Sequence, residues 1–424
     1  MSFFAYVLAE PQRLRGIHHL SFLIPSRIPG DQISEMAHHF TRVLRGALCL
    51  RSLWTSESIL HDVISNVLSD VDYTFHLPSL GDLRLDLAGK QSVVFLQRLK
   101  APLRRLRLWL SIPVTGLDVF SVIDSFRNTL EVLDLQDGVL GTGTEVQFPC
   151  IRAIRMVCVT FGPTVFLVSN FPKLQHLMCI GPADDSDVQR FLDEAEINRS
   201  SLRGGNRHWE GLNFLSGRFS VLYGLGLNIP IRYLDIFWLF KDHSDHLLRL
   251  LRDLRPECLD LDVCLKGFTW AQVQTASIAI ARSERLRYLI LGIEVIDHTV
   301  NVMSAIDILM SELRHSSITF MALYALSTAR GTSRPHRISG DPTLFRESDP
   351  IRHLRKGAST KDVALRFAKS APSLTHIYMH DGTGRPEYWE VHREFGGEYL
   401  SGVDHAIGFK KMEDLRGEYT WEEL

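Results

Sequence analysis

Pro78-Ser79-Leu80-Gly81-Asp82-Leu83-Arg84-Leu85, and again Pro102-Leu103-Arg104-Arg105-Leu106-Arg107-Leu108, carry one pattern: an apolar residue, two variable ones, a second apolar residue, one variable, and a third apolar residue. Alternation at the end of such a run is what a strand with one buried face requires, because successive side chains point to opposite sides. Proline suits the approach to a strand, where its missing N–H costs little. The triplet returns at Leu130/Leu133/Leu135, Ile151/Ile154/Met156 and Leu174/Leu177/Cys179, so that from Leu80 the first positions lie 23, 27, 21 and 23 residues apart. Farther on, copies centre on Leu222/Leu225/Leu227, Cys258/Leu261/Val263, Leu286/Leu289/Leu291, Ile318/Met321/Leu323 and Leu374/Ile377/Met379, with weaker ones at Ile17/Leu20/Phe22 and Leu50/Leu53. The 48-residue gap from Leu174 to Leu222 has room for a degenerate copy near Leu202.

Apolar residues at helical spacing fill the intervals, as in Leu60/Val63/Ile64/Val67/Leu68, Phe120/Ile123/Phe126, Val188/Phe191/Leu192/Ala195, Leu247/Leu250/Leu251/Leu254 and Val302/Ile306/Leu309/Leu313. Thr269 and Thr360 stand where side-chain oxygens cap exposed helix N–H groups, and Asp242 or Ser244 is placed to do the same for the leucine-rich helix that follows. A strand period inside roughly 20 to 29 residues is that of a leucine-rich repeat. Strand, helix and strand in one sheet favour a right-handed crossover and parallel pairing. The expected fold is therefore α/β: a leucine-rich-repeat horseshoe, a right-handed α/β solenoid with a parallel inner sheet, over residues 1–379. The Pro-, Ser-, Arg- and Asp-rich stretch over 328–360 reads as an exposed or disordered insertion, and 380–424 as a C-terminal cap or tail.

The formal charge of −2 over 424 residues gives no overall attraction to nucleic acid or to an anionic membrane. No run approaches the roughly 18 uninterrupted apolar residues of a membrane helix, and the apolar start ends at Glu10-Pro11 without a basic leader. Cys49, Cys150, Cys158, Cys179, Cys258 and Cys264 form no CxxC pair and read as small hydrophobes in a reducing compartment, which implies a cytoplasmic or nuclear protein.

With a Pro-x-Leu-x-x-Leu-x-Leu strand after each amphipathic helix, the stretch from about Ile17 to Met379 resembles the leucine-rich-repeat region of fungal F-box-type proteins. In that family the repeats select a substrate while an F-box docks on the adaptor of a cullin ubiquitin ligase. The resemblance implies a protein-interaction module equivalent to the substrate-recognition part of such a receptor. The helical box, with its Leu-Pro-x-Glu style opening, is not detected: Leu77-Pro78 belongs to a repeat strand and repeat-like sequence starts by about Ile17. The adaptor is a partner only if a box exists. A stand-alone scaffold with no ubiquitin role is the alternative.

Side-chain alternation sends the residues two, four and six places after each first motif position to the inner surface. Arg84, Arg105, Arg107, Trp109 and Arg155 then fall close together on neighbouring strands, with Asp82, Asp86 and Asp134 among them. Later strands add His176, Asn228, Asp260, Asp262, Tyr288, Tyr378 and His380. Arginine beside tryptophan and tyrosine is the composition of binding hot spots, and such a patch prefers an acidic segment of a protein partner. The plain alternative is a solvated face of mixed charge.

Other features carry less chemistry. His243 and His246 share a helix spacing that suits a metal, but a polar helix start explains them as well. Gly138-Val139-Leu140-Gly141-Thr142-Gly143-Thr144 lacks the Gly-Lys-Ser/Thr ending of a phosphate loop and reads as a link between repeats. No Gly-x-Ser-x-Gly elbow, HExxH or histidine-anchored cysteine signature appears, which leaves a hydrolase without a starting residue and only a remote third reading. Neither cofactor nor metal is expected.

Overall fold

In the computed structural model, Leu83, Leu106, Leu133, Ile154 and Leu177 stand in register on successive parallel strands, and so do Leu85, Leu108, Leu135, Met156 and Cys179. None of the ten is more than 1% exposed, so the second and third positions of each triplet build a continuous apolar core. The structure describes residues 3–23, 30–67, 74–111, 118–141, 146–181, 188–205, 208–265, 267–294, 302–326, 359–380, 386–394, 397–404, 406–408, 410 and 414. The insertion expected over 328–360 lies outside these except for Ser359 and Thr360, as do 381–385 and most of 409–424 in the expected terminal segment.

The chain is α/β and divides into two units, Met1–Ala183 with Ser201–Gly211 and Asp184–Ser200 with Leu212–Leu424. In the first, strands β1 (His19–Phe22), β2 (Ser52–Ser56), β4 (Asp82–Ala88), β6 (Arg105–Leu110), β7 (Val132–Leu140), β8 (Ala153–Phe161) and β9 (His176–Ile180) pair in that order, all parallel. Two short strands, β3 (Phe75–His76) and β5 (Leu99–Lys100), form a separate parallel ribbon. The helices are α1 (Phe3–Ala9), α2 (Pro11–Arg15), α3 (Gly30–Gly46), α4 (Glu57–Val67), α5 (Lys90–Arg98), α6 (Val119–Ile123) and α7 (Thr164–Asn170). Ile59, Leu60, Val63 and Ile64 of α4 and Phe95 and Leu96 of α5 are wholly buried, as the helical spacing requires. Phe120, Phe148 and Phe171 add an aromatic triangle with centroids 5.6 to 5.8 Å apart.

Neighbouring helices are also tied by polar contacts. Glu57, the first residue of α4, accepts hydrogen bonds at the start of α5: Gln91 N–H at 2.9 Å on Oε1, and Gly89 N–H and Ser92 N–H, each at 2.9 Å, with Ser92 Oγ at 2.6 Å, on Oε2. A carboxylate here satisfies orphan donors and the positive end of the helix dipole together. Gly89 is the cap residue, and a Cβ there would come within 2.6 Å of Glu57 Oε1.

In the second unit, β10 (Phe214–Arg218), β11 (Tyr233–Leu239), β12 (Cys258–Cys264), β13 (Tyr288–Glu294), β14 (Phe320–Leu326) and β15 (His376–His380) are parallel, and β16 (Glu387–Glu394) and β17 (Gly397–Gly402) follow antiparallel. Helix α8 (Val188–Gly205) supplies its part up to Ser200, and α9 (Phe219–Gly224), α10 (Ser244–Leu254), α11 (Trp270–Ala281), α12 (Val302–Glu312) and α13 (Thr360–Ser370) complete the unit. Arg393 of β16 donates to the carbonyls of Ala368, Ala371 and Leu374 at 3.2, 3.1 and 2.7 Å, meeting the end of α13 with a cation.

Here the structure corrects the expected strand positions. Leu222 lies in α9, and Leu225 and Leu227 follow it outside any strand; the strand that carries the pattern is β11, written Ile231-Arg232-Tyr233-Leu234-Asp235-Ile236. Leu202 is helical, and the degenerate copy is Leu212-Asn213-Phe214-Leu215-Ser216-Gly217, whose glycine takes the third apolar place. In β12 the register pairs Leu259 with Leu234 and Leu289, two residues before the expected frame, a slip that leaves every side chain on its face. The chain after α9 turns at Gly226, at φ 63°, where a Cβ would meet Ala195 O at 2.7 Å and Arg199 N at 2.9 Å. Thr269 caps α11 in a capping box with Gln272, as expected. The cap of α13 stands one residue ahead of the expected Thr360, where Ser359 forms the box with Asp362. Neither Asp242 nor Ser244 caps α10, whose N-cap residue is His243. The stretch expected as a link continues β7 through 138–140, and 142–144 lie outside the described residues.

One irregularity recurs. Leu87, Asp137, Cys158 and Trp238 each stand seven places after a first motif residue and each has φ of 53 or 54°. This left-handed geometry costs a non-glycine residue about 1 kcal/mol or more. Leu87 is an extra residue in β4, where Leu85 and Ala88 bracket a jump in register against β6. Asp137 and Cys158 fall opposite each other, so the β7–β8 ladder resumes unshifted at Gly138 and Val159. None of the six cysteines forms a disulfide, and among the described residues no helix is long and apolar enough to cross a membrane.

Candidate functional site

Strands β4 and β6 alternate strictly between buried leucine and half-buried polar or aromatic residues through Asp86 and Leu110, respectively. The half-buried set is the one that alternation assigns to the expected recognition face, and register turns it into rows. Trp54, Arg84, Arg107, Asp134, Arg155 and Met178 run across β2, β4, β6, β7, β8 and β9. Ser52, Asp82, Arg105, Val132, Ala153 and His176 form the adjacent row.

Arg84 is the centre of one cluster. Its guanidinium carbon lies 3.9 Å from the ring centroid of Trp54 and 4.6 Å from that of Trp109, and its Nε donates to Asp86 Oδ1 at 3.0 Å. Trp54 Nε1 donates to the other oxygen of Asp86 at 2.7 Å. Two indoles, a guanidinium and a carboxylate thus hold one another in fixed rotamers, a pre-organised platform that loses little entropy when a ligand lands on it.

Asp134 is the centre of the second. Its Oδ2 pairs with Arg107 Nε at 2.8 Å and with Arg155 Nη1 at 3.3 Å, and its side chain is 6% exposed against 26% and 29% for the arginines. Burial of a carboxylate this deep requires such partners. Its Oδ1 has no hydrogen-bond partner among the described residues. Arg105 differs from the other three arginines: among the described residues its guanidinium has no ion pair or hydrogen bond, although Asp82 lies opposite it in register. Asp82 instead accepts from Ser52 Oγ at 3.4 Å. Four arginines face three aspartates, so among the described residues the surface keeps a surplus positive charge and its unpaired member is Arg105.

The structure therefore brings Arg84, Arg105, Arg107, Trp109 and Arg155 onto one face of the first unit. His176 shares the row of Arg105 but is only 8% exposed. Tyr288 and Tyr378 belong to the second unit, where Tyr288 is half-buried and Tyr378 is 4% exposed. There Tyr378 packs 5.5 Å from Tyr324 and 6.5 Å from Tyr388 within an aromatic cluster that includes Phe214, Tyr233 and Phe320. Asp260 and Asp262 are buried too, with Tyr233 Oη donating to Asp260 at 3.1 Å, and Asn228 is exposed outside the strands. Burial pushes the Tyr388 phenol up to about 12, with Glu390 adding to the shift.

Sequence pattern passes over Trp54 because its strand, Leu50/Leu53, is a weak copy with Thr55 in the third apolar place; the rule of four places after the first position finds it. The histidines of α10 and its approach are packed on rings: His243 stacks on Phe219 at 4.8 Å and His246 lies 5.5 Å from Tyr223. Among the described residues no group of three or more His, Cys, Asp or Glu side chains is arranged to hold a metal ion. No family model and no curated protein sequence matches the chain.

Proposed function

We propose that the chain is a protein-interaction module, a leucine-rich-repeat horseshoe whose inner surface in the first unit binds an acidic segment of a partner protein. The observation that carries this reading is Arg105, an arginine with no carboxylate partner among the described residues, beside a rigid platform of Trp54, Arg84 and Trp109. Parallel strands in register, each carrying the leucine triplet, support the solenoid. A phosphodiester backbone fits less well, because Asp82, Asp86 and Asp134 would repel it. A cytoplasmic or nuclear setting suits six cysteines without a disulfide.

Titration of the full chain with labelled acidic and lysine-substituted peptides tests the proposal. Acidic peptides bind, and Arg105→Glu weakens them by about tenfold or more while leaving thermal stability unchanged. Equal binding of both peptides, or indifference to Arg105→Glu, overturns it. The likeness of the repeats to F-box-type proteins supports a narrower version, the substrate-recognition part of a ubiquitin-ligase receptor. Co-purification of the cullin adaptor with the full-length native protein tests that version; its failure leaves a scaffold without a ubiquitin role.

A further inference from the structure

Beyond Arg105 the recognition face changes character. On β6 it presents Arg105, Arg107 and Trp109, whereas on β9 and on β8 ahead of Cys158 the half-buried residues besides Arg155 are Val157, Met178 and Ile180. Register aligns Arg107 with Asp134, Arg155 and Met178, and Trp109 with Gln136, Val157 and Ile180. A cationic edge on β6 and an aliphatic ledge on β8 and β9 therefore share one surface, with β7 between them. Neither half by itself selects a sequence, since an exposed arginine takes any carboxylate and an aliphatic ledge any apolar group. Their separation does.

From β6 to β9 is three inter-strand steps, about 14 Å at roughly 4.8 Å each, and Met178 stands two residues, about 7 Å, beyond His176, the residue level with Arg105, so Arg105 and Met178 lie about 16 Å apart. An extended chain advances about 3.5 Å per residue, so a peptide crossing the strands obliquely covers that distance in about five residues. We infer that this face reads a linear peptide in which an acidic residue and an aliphatic residue stand about five positions apart, the first on Arg105 and the second on Val157, Met178 and Ile180. This rests on the peptide-binding reading above and adds its specificity. The charge pattern agrees. Arg107 and Arg155, the cations nearer the middle, are already engaged by Asp134, so the middle of the peptide contributes little. The aliphatic end supplies the apolar burial that a lone exposed ion pair, weakened by solvent and salt, does not provide.

The test is fluorescence anisotropy on the full chain with synthetic peptides in a Ser/Gly background. They carry one Asp and one Leu spaced by about two, five or eight positions, an Asp alone, or neither residue, and an oligouridylate serves as a nucleic-acid probe. The expected result is that the five-spaced peptide binds about tenfold tighter than the other spacings and the Asp-only peptide. Met178→Asp removes that advantage, and Met178→Gln, a milder change at the same half-buried position, reduces it with the melting temperature preserved. Equal affinity for every Asp peptide overturns the spacing rule while leaving the acidic-segment reading intact. No preference for any Asp peptide over the one with neither residue overturns both. Tighter binding of the oligouridylate than of every peptide overturns the choice of a protein partner.

Discussion

The two units pair their strands in parallel, save β16 and β17 of the second, and use opposite means on the face away from the leucine triplets. In the first, that face is half-exposed and built from arginine, tryptophan and aspartate; in the second, the equivalent positions include Tyr233, Asp235, Asp260, Tyr324 and Tyr378, all buried. Sheet register is the same device in both, and what differs is whether the face remains accessible. Ion pairs with half-buried guanidiniums leave that face within reach of solvent, which the proposed binding requires. Hydroxyls donating to buried carboxylates, as Tyr233 does to Asp260, and Ser216 Oγ to Asp235 at 2.9 Å, suit an interior.

Substitutions at matched places break or sharpen this contrast. The largest effect is expected in the shared core. Leu106→Ala removes a side chain with no exposed surface and should cost about 2 to 5 kcal/mol in denaturant melts. Tyr378→Ala should come close behind at about 3 kcal/mol, because its ring is interior; a cost under about 0.5 kcal/mol would mean that the second unit's face is a surface as well. Glu57→Ala strips four hydrogen bonds from the start of α5 and should cost about 1 to 3 kcal/mol, measured by the same melts.

Asp134→Asn separates stability from binding. Loss of the carboxylate releases Arg107 and Arg155, so acidic peptides should bind several-fold tighter while the melting temperature falls slightly. Weaker binding would place Asp134 itself in contact with the partner. The smallest effect belongs to Tyr388→Phe. The hydroxyl has no hydrogen-bond partner among the described residues, so its removal should change neutral-pH stability by less than about 1 kcal/mol. The phenol's folded value of about 12 lies above its ordinary 10.0, so the native state holds this proton more tightly than the unfolded chain does. Its contribution is complete below pH 10.0 and fades as pH rises toward about 12, and melts across that window should show a drop that Tyr388→Phe diminishes.

How far the residues alone disclose this depends on what each signal measures. From Leu80 to Cys179 the triplets are intact and the intervals short, so hydrophobic period alone locates the strands and, by alternation, the arginine face. In the second unit Gly217 stands where a leucine is sought, and the apolar run Leu222/Leu225/Leu227 of a buried helix and its exit imitates the triplet. Periodicity cannot separate a short buried helix from a strand. At the start of α13, Ser359 and Thr360 are equally able to cap, and only the box with Asp362 decides between them. Burial of Tyr378, His176 and Asp260 is out of reach of sequence, since tyrosine, histidine and aspartate read as surface until their neighbours in space are known. The unpaired state of Arg105 is likewise a matter of distance, not of sequence order.

Arginine-selective labelling with phenylglyoxal, read by peptide mass spectrometry with and without a bound acidic peptide, tests the recognition face most directly. Arg105 should label faster than Arg107 and Arg155, whose guanidiniums are held by Asp134, and the acidic peptide should protect it. Labelling of Arg105 that is slower than theirs, or that the bound peptide leaves unchanged, would contradict the account.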